Sequence, residues 1–257
     1  MADYILETRG LTKHYGGIQA LEDASFTLAP REHVAVVGDI GAGKSTFVRQ
    51  VTGVEKPTAG QIFLDGKEVN FKDPLEAREA GIETVFQNLA LADDLHVPSN
   101  LFLGREIVRI PLGPFSWLDR RKMRKLTLEA LTKTAVKIPN IDNHIRNMSG
   151  GQRQCVAIAR AAAFASKLVI MDEPTAALGV QETAQVEAII RSLKEAGIPL
   201  ILVSHNLRQV FDLVDKIWVF RRGRIAGMVE TAKTDGNEVV SMITGVKSGG
   251  NENAAFV

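Results

Sequence analysis

Apolar residues in this chain follow two rhythms, and each predicts a different layer. From Tyr4 to Thr8 they alternate with polar ones. Gln61 to Leu64 and Lys67 to Asn70 flank Asp65-Gly66, a dipeptide suited to a two-residue hairpin turn. That predicts a small antiparallel sheet. Four other runs are apolar without interruption: Val34 to Val37, Leu168 to Met171, Leu200 to Val203 and Ile217 to Phe220. Strands that do not alternate are covered on both faces, as in a parallel sheet. Helical spacing fills the gaps between them. Asp73-Pro74 reads as an N-cap followed by proline at the first helical position, with Gly81 as the stop. Val186, Ile189, Ile190 and Leu193 keep the i, i+3, i+4, i+7 spacing up to Gly197, and Leu207, Val210, Phe211 and Val214 repeat it. Strands alternating with helices predict α/β architecture with right-handed crossovers.

Between Gln87 and Met148 the strand pattern lapses. Pro111 and Pro114 break the chain there, and Asp119 to Lys133 reads as a charged helix. The expectation is one domain over 4–244, with a mostly helical subdomain inserted at about 88–148. A flexible tail over 245–257, disordered from about Ser248, is expected to follow.

Composition narrows the class. The chain has 257 residues, 45% of them apolar and 24% charged, a mixture that can bury a core and excludes bulk disorder. Thirty-one basic against 30 acidic residues leave a net charge of +1, so no general attraction to nucleic acid or anionic lipid is expected. The single cysteine, Cys155, excludes an internal disulfide framework and suits a reducing compartment; burial in the core is its expected role. Apolar stretches such as Ile198 to Val203 fall far short of the roughly 18 residues a membrane span needs. The opening MADYILETRG lacks a positive leader followed by an apolar block, so no secretory signal is expected. A soluble, cytoplasmic protein is the prediction.

Gly38-Asp39-Ile40-Gly41-Ala42-Gly43-Lys44-Ser45 fits the nucleotide-binding pattern G-x-x-x-x-G-K-[ST], and Thr46 follows. It comes directly after an apolar strand and before an amphipathic helix, where backbone N–H groups can cradle phosphates. Lys44 would reach the β- and γ-phosphates of ATP, and the Ser45 hydroxyl would bind Mg²⁺. Asp172 and Glu173 end one apolar run and His205 follows another, so both belong at strand carboxyl ends, where ligands of open α/β sheets gather. Asp172 is the candidate Mg²⁺ partner, Glu173 the base that polarises water and His205 a γ-phosphate contact. Each alone reads as a solvated polar strand end; their shared placement favours a site. Ser149-Gly150-Gly151-Gln152 opens an alanine-rich helix. A capping box accounts for Ser149 and Gln152, but two first-turn glycines, each costing up to about 1 kcal/mol, point to a second anion site.

Here the chain resembles the ATP-binding subunit of an ATP-binding-cassette (ABC) transporter, from about Tyr4 to Thr244. Met148 to Gln152 resembles the family's signature, Leu168 to Glu173 its Walker B strand and catalytic glutamate, and His205 its switch histidine. Gln87 resembles the Q-loop glutamine, which also binds Mg²⁺ and links the site to the membrane subunits. Tyr15, in Lys13-His14-Tyr15-Gly16, resembles the aromatic residue that stacks on adenine; by itself it would read as a packing aromatic. The resemblance implies a P-loop NTPase (RecA-like) parallel-sheet core with an N-terminal antiparallel β subdomain and an inserted helical subdomain. It implies two ATPs held between head-to-tail copies, each by one cradle and the other copy's signature. Partners would be a second copy, integral-membrane permease subunits and, indirectly, an extracellular or periplasmic sugar-binding protein, without nucleic acid. The place implied is the cytoplasmic face of the membrane.

Val85 to Leu91, Phe102 to Glu106 and Glu173 to Val180 resemble single-cassette ATPases of monosaccharide importers of the fructose and ribose type. Import of amino acids or another small solute is the next reading. Ile40 departs from the polar residue usual in the cradle, and Gly179 from the common aspartate, although sugar-type relatives share the glycine. Losing a polar contact at position 40 predicts slow hydrolysis, which keeps a nucleotide-gated clamp open as an alternative. A soluble ABC ATPase working on ribosomes or DNA would call for fused cassettes or a coiled-coil insertion, and neither is present. Arg153, Arg160 and the basic run from Arg120 to Lys125 read as solvated helix faces, with membrane-surface contact the minor reading for the run. His14, His33, His96 and His144 show no metal spacing.

Overall fold

In a computed structural model of the protein, residues 3–110, 117–134, 136, 138–176 and 178–246 are described. Pro111, Pro114, Ala177 and the tail from Ser248 lie outside them.

Two sheets lie one against the other. The first is antiparallel, in the order β2 (Ile18–Leu28), β1 (Leu6–Tyr15), β4 (Ala59–Leu64) and β5 (Lys67–Val69). The β4–β5 turn falls at Asp65-Gly66, where φ is 54° and 72°; both central residues are left-handed, as the primed turn requires.

The second sheet has six strands, in the order β12 (Arg224–Glu230), β11 (Lys216–Arg221), β3 (His33–Gly38), β10 (Leu200–Val203), β9 (Leu168–Asp172) and β6 (Ile82–Val85). From β11 to β6 all neighbours are parallel; β12 alone runs antiparallel. All four unbroken apolar runs lie in these parallel strands, and alternate residues explain why. Val34, Val36, Ile170 and Ile201 pack towards the antiparallel sheet and helix α1 (Lys44–Val51). Ala35, Val37, Met171 and Leu202 pack towards the helices of the opposite face.

Those helices include α5 (Gly150–Phe164), α6 (Val180–Glu195), α7 (Leu207–Leu213) and α8 (Gly236–Thr244). Val186, Ile189, Ile190 and Leu193 are buried at the spacing read from the sequence, and α6 is stopped by Gly197 at φ 71°. Helix α2 (Pro74–Glu79) starts where Asp73 accepts the N–H groups of Leu75 and Glu76.

Between β6 and α5 the chain forms α3 (Val97–Leu101) and α4 (Arg120–Lys133), the latter capped by Asp119. It also forms a short hairpin, β7 (Val108–Ile110) with β8 (Trp117–Leu118), which the pattern did not predict. Strands of two and three residues are too short to display an alternation.

Candidate functional site

The candidate cradle sits where β3 ends and α1 begins. Gly38 has φ 152°, and a Cβ there would lie 2.2 Å from the Phe220 carbonyl oxygen, so only glycine fits beside β11. Gly43, at φ 103°, precedes α1, which starts without a side-chain cap; its first N–H groups are left for another acceptor. Lys44 folds back across the loop, donating to the carbonyls of Gly38 at 2.8 Å and Asp39 at 2.9 Å. Burial lowers the pKa of its ammonium, while Glu173, Asp172 and Asp39 pull it back up. Ser45 is exposed, Thr46 half-buried and Ala42 buried, and Gly41, at φ 77°, has open space around it. Ile40 is 99% exposed, and its N–H donates to the Asp39 carboxylate at 2.8 Å.

Parallel register brings the acidic pair to the same end of the sheet. Val203 of β10 is level with Asp172 of β9, and Val36 of β3 is level with Val203. Burial raises the pKa of the Asp172 carboxyl, helped by the adjacent Glu173 and opposed by Lys44. Glu173 has φ 51°, an unfavourable region for a residue with a side chain. Its N–H bond to the Val203 carbonyl at 2.9 Å holds it there. Its carboxylate meets His205 Nδ1 at 2.8 Å. Gln87 follows β6, whose Val85 is level with Met171, so it emerges at this same sheet end, exposed.

Oxygen donors of Ser45, Gln87 and Asp172 suit a hard divalent cation, and the Asp172–Glu173 pair concentrates negative charge beside Lys44. Among the described residues no group of three or more His, Cys, Asp or Glu could hold a metal.

Tyr15 ends β1 and is 41% exposed, unlike a packing aromatic. Its hydroxyl donates to the Glu55 carboxylate, which also accepts from Arg49 of α1 at 3.3 Å, tying the ring to the cradle's helix. The Lys13 ammonium lies 5.3 Å from the ring centroid.

The start of α5 is a complete capping box: Ser149 Oγ accepts the Gln152 N–H at 3.2 Å and the Gln152 side chain accepts the Ser149 N–H at 3.0 Å. The two glycines differ. Gly150 is exposed with open space around it, whereas a Cβ on Gly151 would come within 2.0 Å of Glu182 Cγ. Packing accounts for Gly151, whereas no contact within the chain accounts for Gly150. Among the described residues, no hydrogen bond or ion pair joins Ser149, Gly150, Gly151 or Gln152 to the cradle of the same chain.

Two arginines read as surface charges are instead clamps. Arg153 donates to the carbonyls of Met148 at 3.3 Å and Arg146 at 3.1 Å, bracing the approach to the signature. Arg160 is half-buried and forks onto the carbonyls of Ala90 at 2.8 Å and Leu89 at 2.9 Å. Leu89 and Ala90 have φ of 56° and 46°, two consecutive left-handed non-glycine residues just after Gln87. Their acceptors are backbone atoms, which leave no mark in the sequence. Cys155 is buried, its thiol pushed up to about 11 by burial and by Glu182.

A protein-family model described as "ABC transporter" matches residues 21–176. The chain is 47% identical over 247 residues to the fructose import ATP-binding protein FrcA of Rhizobium meliloti, covering 95% of both chains. It is 39% identical over 240 residues to the xylose/arabinose import ATP-binding protein XylG of Sulfolobus acidocaldarius, covering 93% of this chain and 94% of that one. Its fold is similar to the dimeric structure of a post-hydrolysis state of the ATP-binding cassette MJ0796 bound to ADP and Pi. The TM-score there is 0.75 at 25% identity, covering 88% of this chain and 98% of that one. With a glycine-rich loop at the head of α1, a carboxylate–histidine pair at the same sheet end and these likenesses, the chain belongs to the ABC transporter family as an ATP-binding cassette ATPase.

Proposed function

We propose that this ATPase drives uptake of a monosaccharide or related sugar, working as two copies on the cytoplasmic face of a membrane permease. An extracellular or periplasmic sugar-binding protein would deliver the solute. The observation that carries the catalytic reading is the Glu173–His205 contact of 2.8 Å, next to the lysine of the cradle. The sugar follows from kinship with relatives named for fructose and xylose/arabinose import, since the ATPase itself never touches the solute. Among the described residues no helix is long and apolar enough to cross a membrane; in this reading the permeation path belongs to the permease.

The backbone N–H groups from Gly41 to Ser45, with Lys44, hold the β- and γ-phosphates, and Tyr15 stacks on the adenine. Thr46, next on α1, binds the nucleotide with them. Ser45, Gln87 and Asp172 would hold Mg²⁺, which neutralises phosphate charge when bound. Glu173 polarises the attacking water, and His205 turns from Glu173 to the γ-phosphate as it arrives. Ser149, Gly150, Gly151 and Gln152 of the second copy close on that phosphate from the opposite side. ATP thereby joins two surfaces and hydrolysis parts them, a two-state element that Gln87 relays to the permease.

Glu173→Gln is the test. We expect ATP binding and ATP-dependent dimerisation to persist while phosphate release falls at least about 100-fold. Equal rates in parent and variant would remove the glutamate from the chemistry and favour the clamp suggested by Ile40. For the solute, deleting the gene should abolish uptake of one labelled sugar among fructose, ribose and xylose; if amino-acid uptake falls instead, the sugar assignment is wrong.

A further inference from the structure

One buried carboxylate serves three arginines beside the turn that carries Gln87. Glu83, on β6, is 4% exposed, and the Arg105 guanidinium donates to its carboxylate at 2.6 Å. Arg105 belongs to the loop after α3 and lies over the Phe164 ring of α5, 4.3 Å from the centroid. Phe164 is four residues on from Arg160 in that helix, so the two project from one face. Arg160 and Arg78, the latter in α2, are half-buried. Burial lowers the pKa of both guanidiniums. Like charge lowers them further, from Arg105 at Arg78 and from Arg78 and Arg105 at Arg160. Glu83 opposes the effect at each.

Arginine does not give up its proton, so a buried guanidinium that loses its counter-charge moves towards water instead. That matters for Arg160, whose fork holds the carbonyls of Leu89 and Ala90. Both of those residues are left-handed, a costly state for side-chain-bearing residues that persists only under an outside hold. Within the same turn the Leu89 N–H donates to the Phe86 carbonyl at 2.9 Å and the Ala90 N–H to that of Asn88 at 2.6 Å, so the turn closes around Gln87. Uncharged carbonyls do not neutralise clustered cations; a carboxylate does.

We infer that Glu83 is a positioning residue for Gln87: its charge, shared among Arg105, Arg78 and Arg160, keeps Arg160 on the two carbonyls and so keeps the strained turn in place. The inference rests on the part proposed above for Gln87 in hydrolysis, and the experiment separates the two.

Amide hydrogen exchange across residues 86–91 and steady-state ATP hydrolysis are read on the full-length chain. Glu83→Gln keeps the shape of the side chain and deletes its charge. We expect exchange at Leu89 and Ala90 to quicken at least about tenfold, and kcat to fall about fivefold with KM for ATP unchanged. Removing a cation would not repair a mere packing defect, so adding Arg78→Gln to Glu83→Gln should restore most of both readouts. Adding Gln87→Ala to Glu83→Gln should lower kcat no further than Gln87→Ala alone. If Glu83→Gln fails to fold, Glu83→Asp carries the test. It withdraws the charge by one methylene and should give the same changes in smaller measure, again reversed by Arg78→Gln. Unchanged exchange at Leu89 and Ala90, no rescue by Arg78→Gln, or rates that multiply fully with Gln87→Ala would each overturn the inference. If Gln87→Ala by itself left kcat intact, the part proposed for the glutamine would fail, while exchange and its rescue would still decide the role of Glu83.

Discussion

The cradle around Lys44 and the start of α5 are both helix N-termini, yet the chain completes them to different degrees. At the cradle it supplies a neighbouring strand, a lysine already folded over the loop, and two carboxylates with a histidine at the same sheet end. At α5 it caps the helix with Ser149 and Gln152, packs Glu182 under Gly151, and leaves Gly150 open. One terminus is a socket with its own chemistry; the other is a finished surface lacking an opposite wall. On the proposed reading a single chain binds nucleotide with the first and needs another copy to use the second.

The contrast is broken most forcefully at Lys44. Lys44→Ala removes charge-assisted hydrogen bonds that contribute about 1.5–3 kcal/mol each, so ATP affinity of the isolated chain should fall at least about 100-fold by calorimetry. Ser149→Ala should leave that affinity within twofold and impair only ATP-dependent dimer formation. If both variants lost affinity alike, the division into socket and surface would be wrong.

A smaller effect, about tenfold, is expected at Arg160. Arg160→Lys keeps the charge but loses the fork that grips Leu89 and Ala90, so kcat should fall while KM for ATP stays fixed. Combined with Gln87→Ala it should add nothing further, because both changes disable one loop. Full additivity would show that the arginine acts elsewhere.

The smallest effect separates the two glycines. Gly151→Ala forces its new methyl against Glu182 and should cost about 1 kcal/mol in thermal unfolding, whereas Gly150→Ala should leave Tm unchanged. Equal shifts would mean that the packing under Gly151 gives way freely.

Much of this was legible in the residues. Buried parallel strands announce themselves as unbroken apolar runs, and the cradle's glycines, lysine and serine are contiguous, so Val34 to Thr46 could be read without a structure. Asp172, Glu173 and His205 were placed by a rule about strand ends, and strand order then brought them level. What escaped were features whose partners are main-chain atoms or distant side chains. Arg153 and Arg160 occupy positions on a helix that look solvated until the carbonyls they hold are seen. The packing of Gly151 against Glu182 leaves no local trace in the sequence. The β7–β8 hairpin had too few residues to show a period.

Gly38 also ties nucleotide binding to the order of synthesis. Its strand, β3, emerges early, yet both of its neighbours, β10 and β11, come from the far end of the chain, and Phe220 closes directly over the glycine. A ribosome-bound N-terminal half thus carries the whole motif, with the antiparallel sheet beside it but neither of β3's own neighbours in place. If the loop binds ATP as proposed, competence arrives late, when the last parallel strand slots in beside Gly38, and an incomplete chain lacks the finished socket.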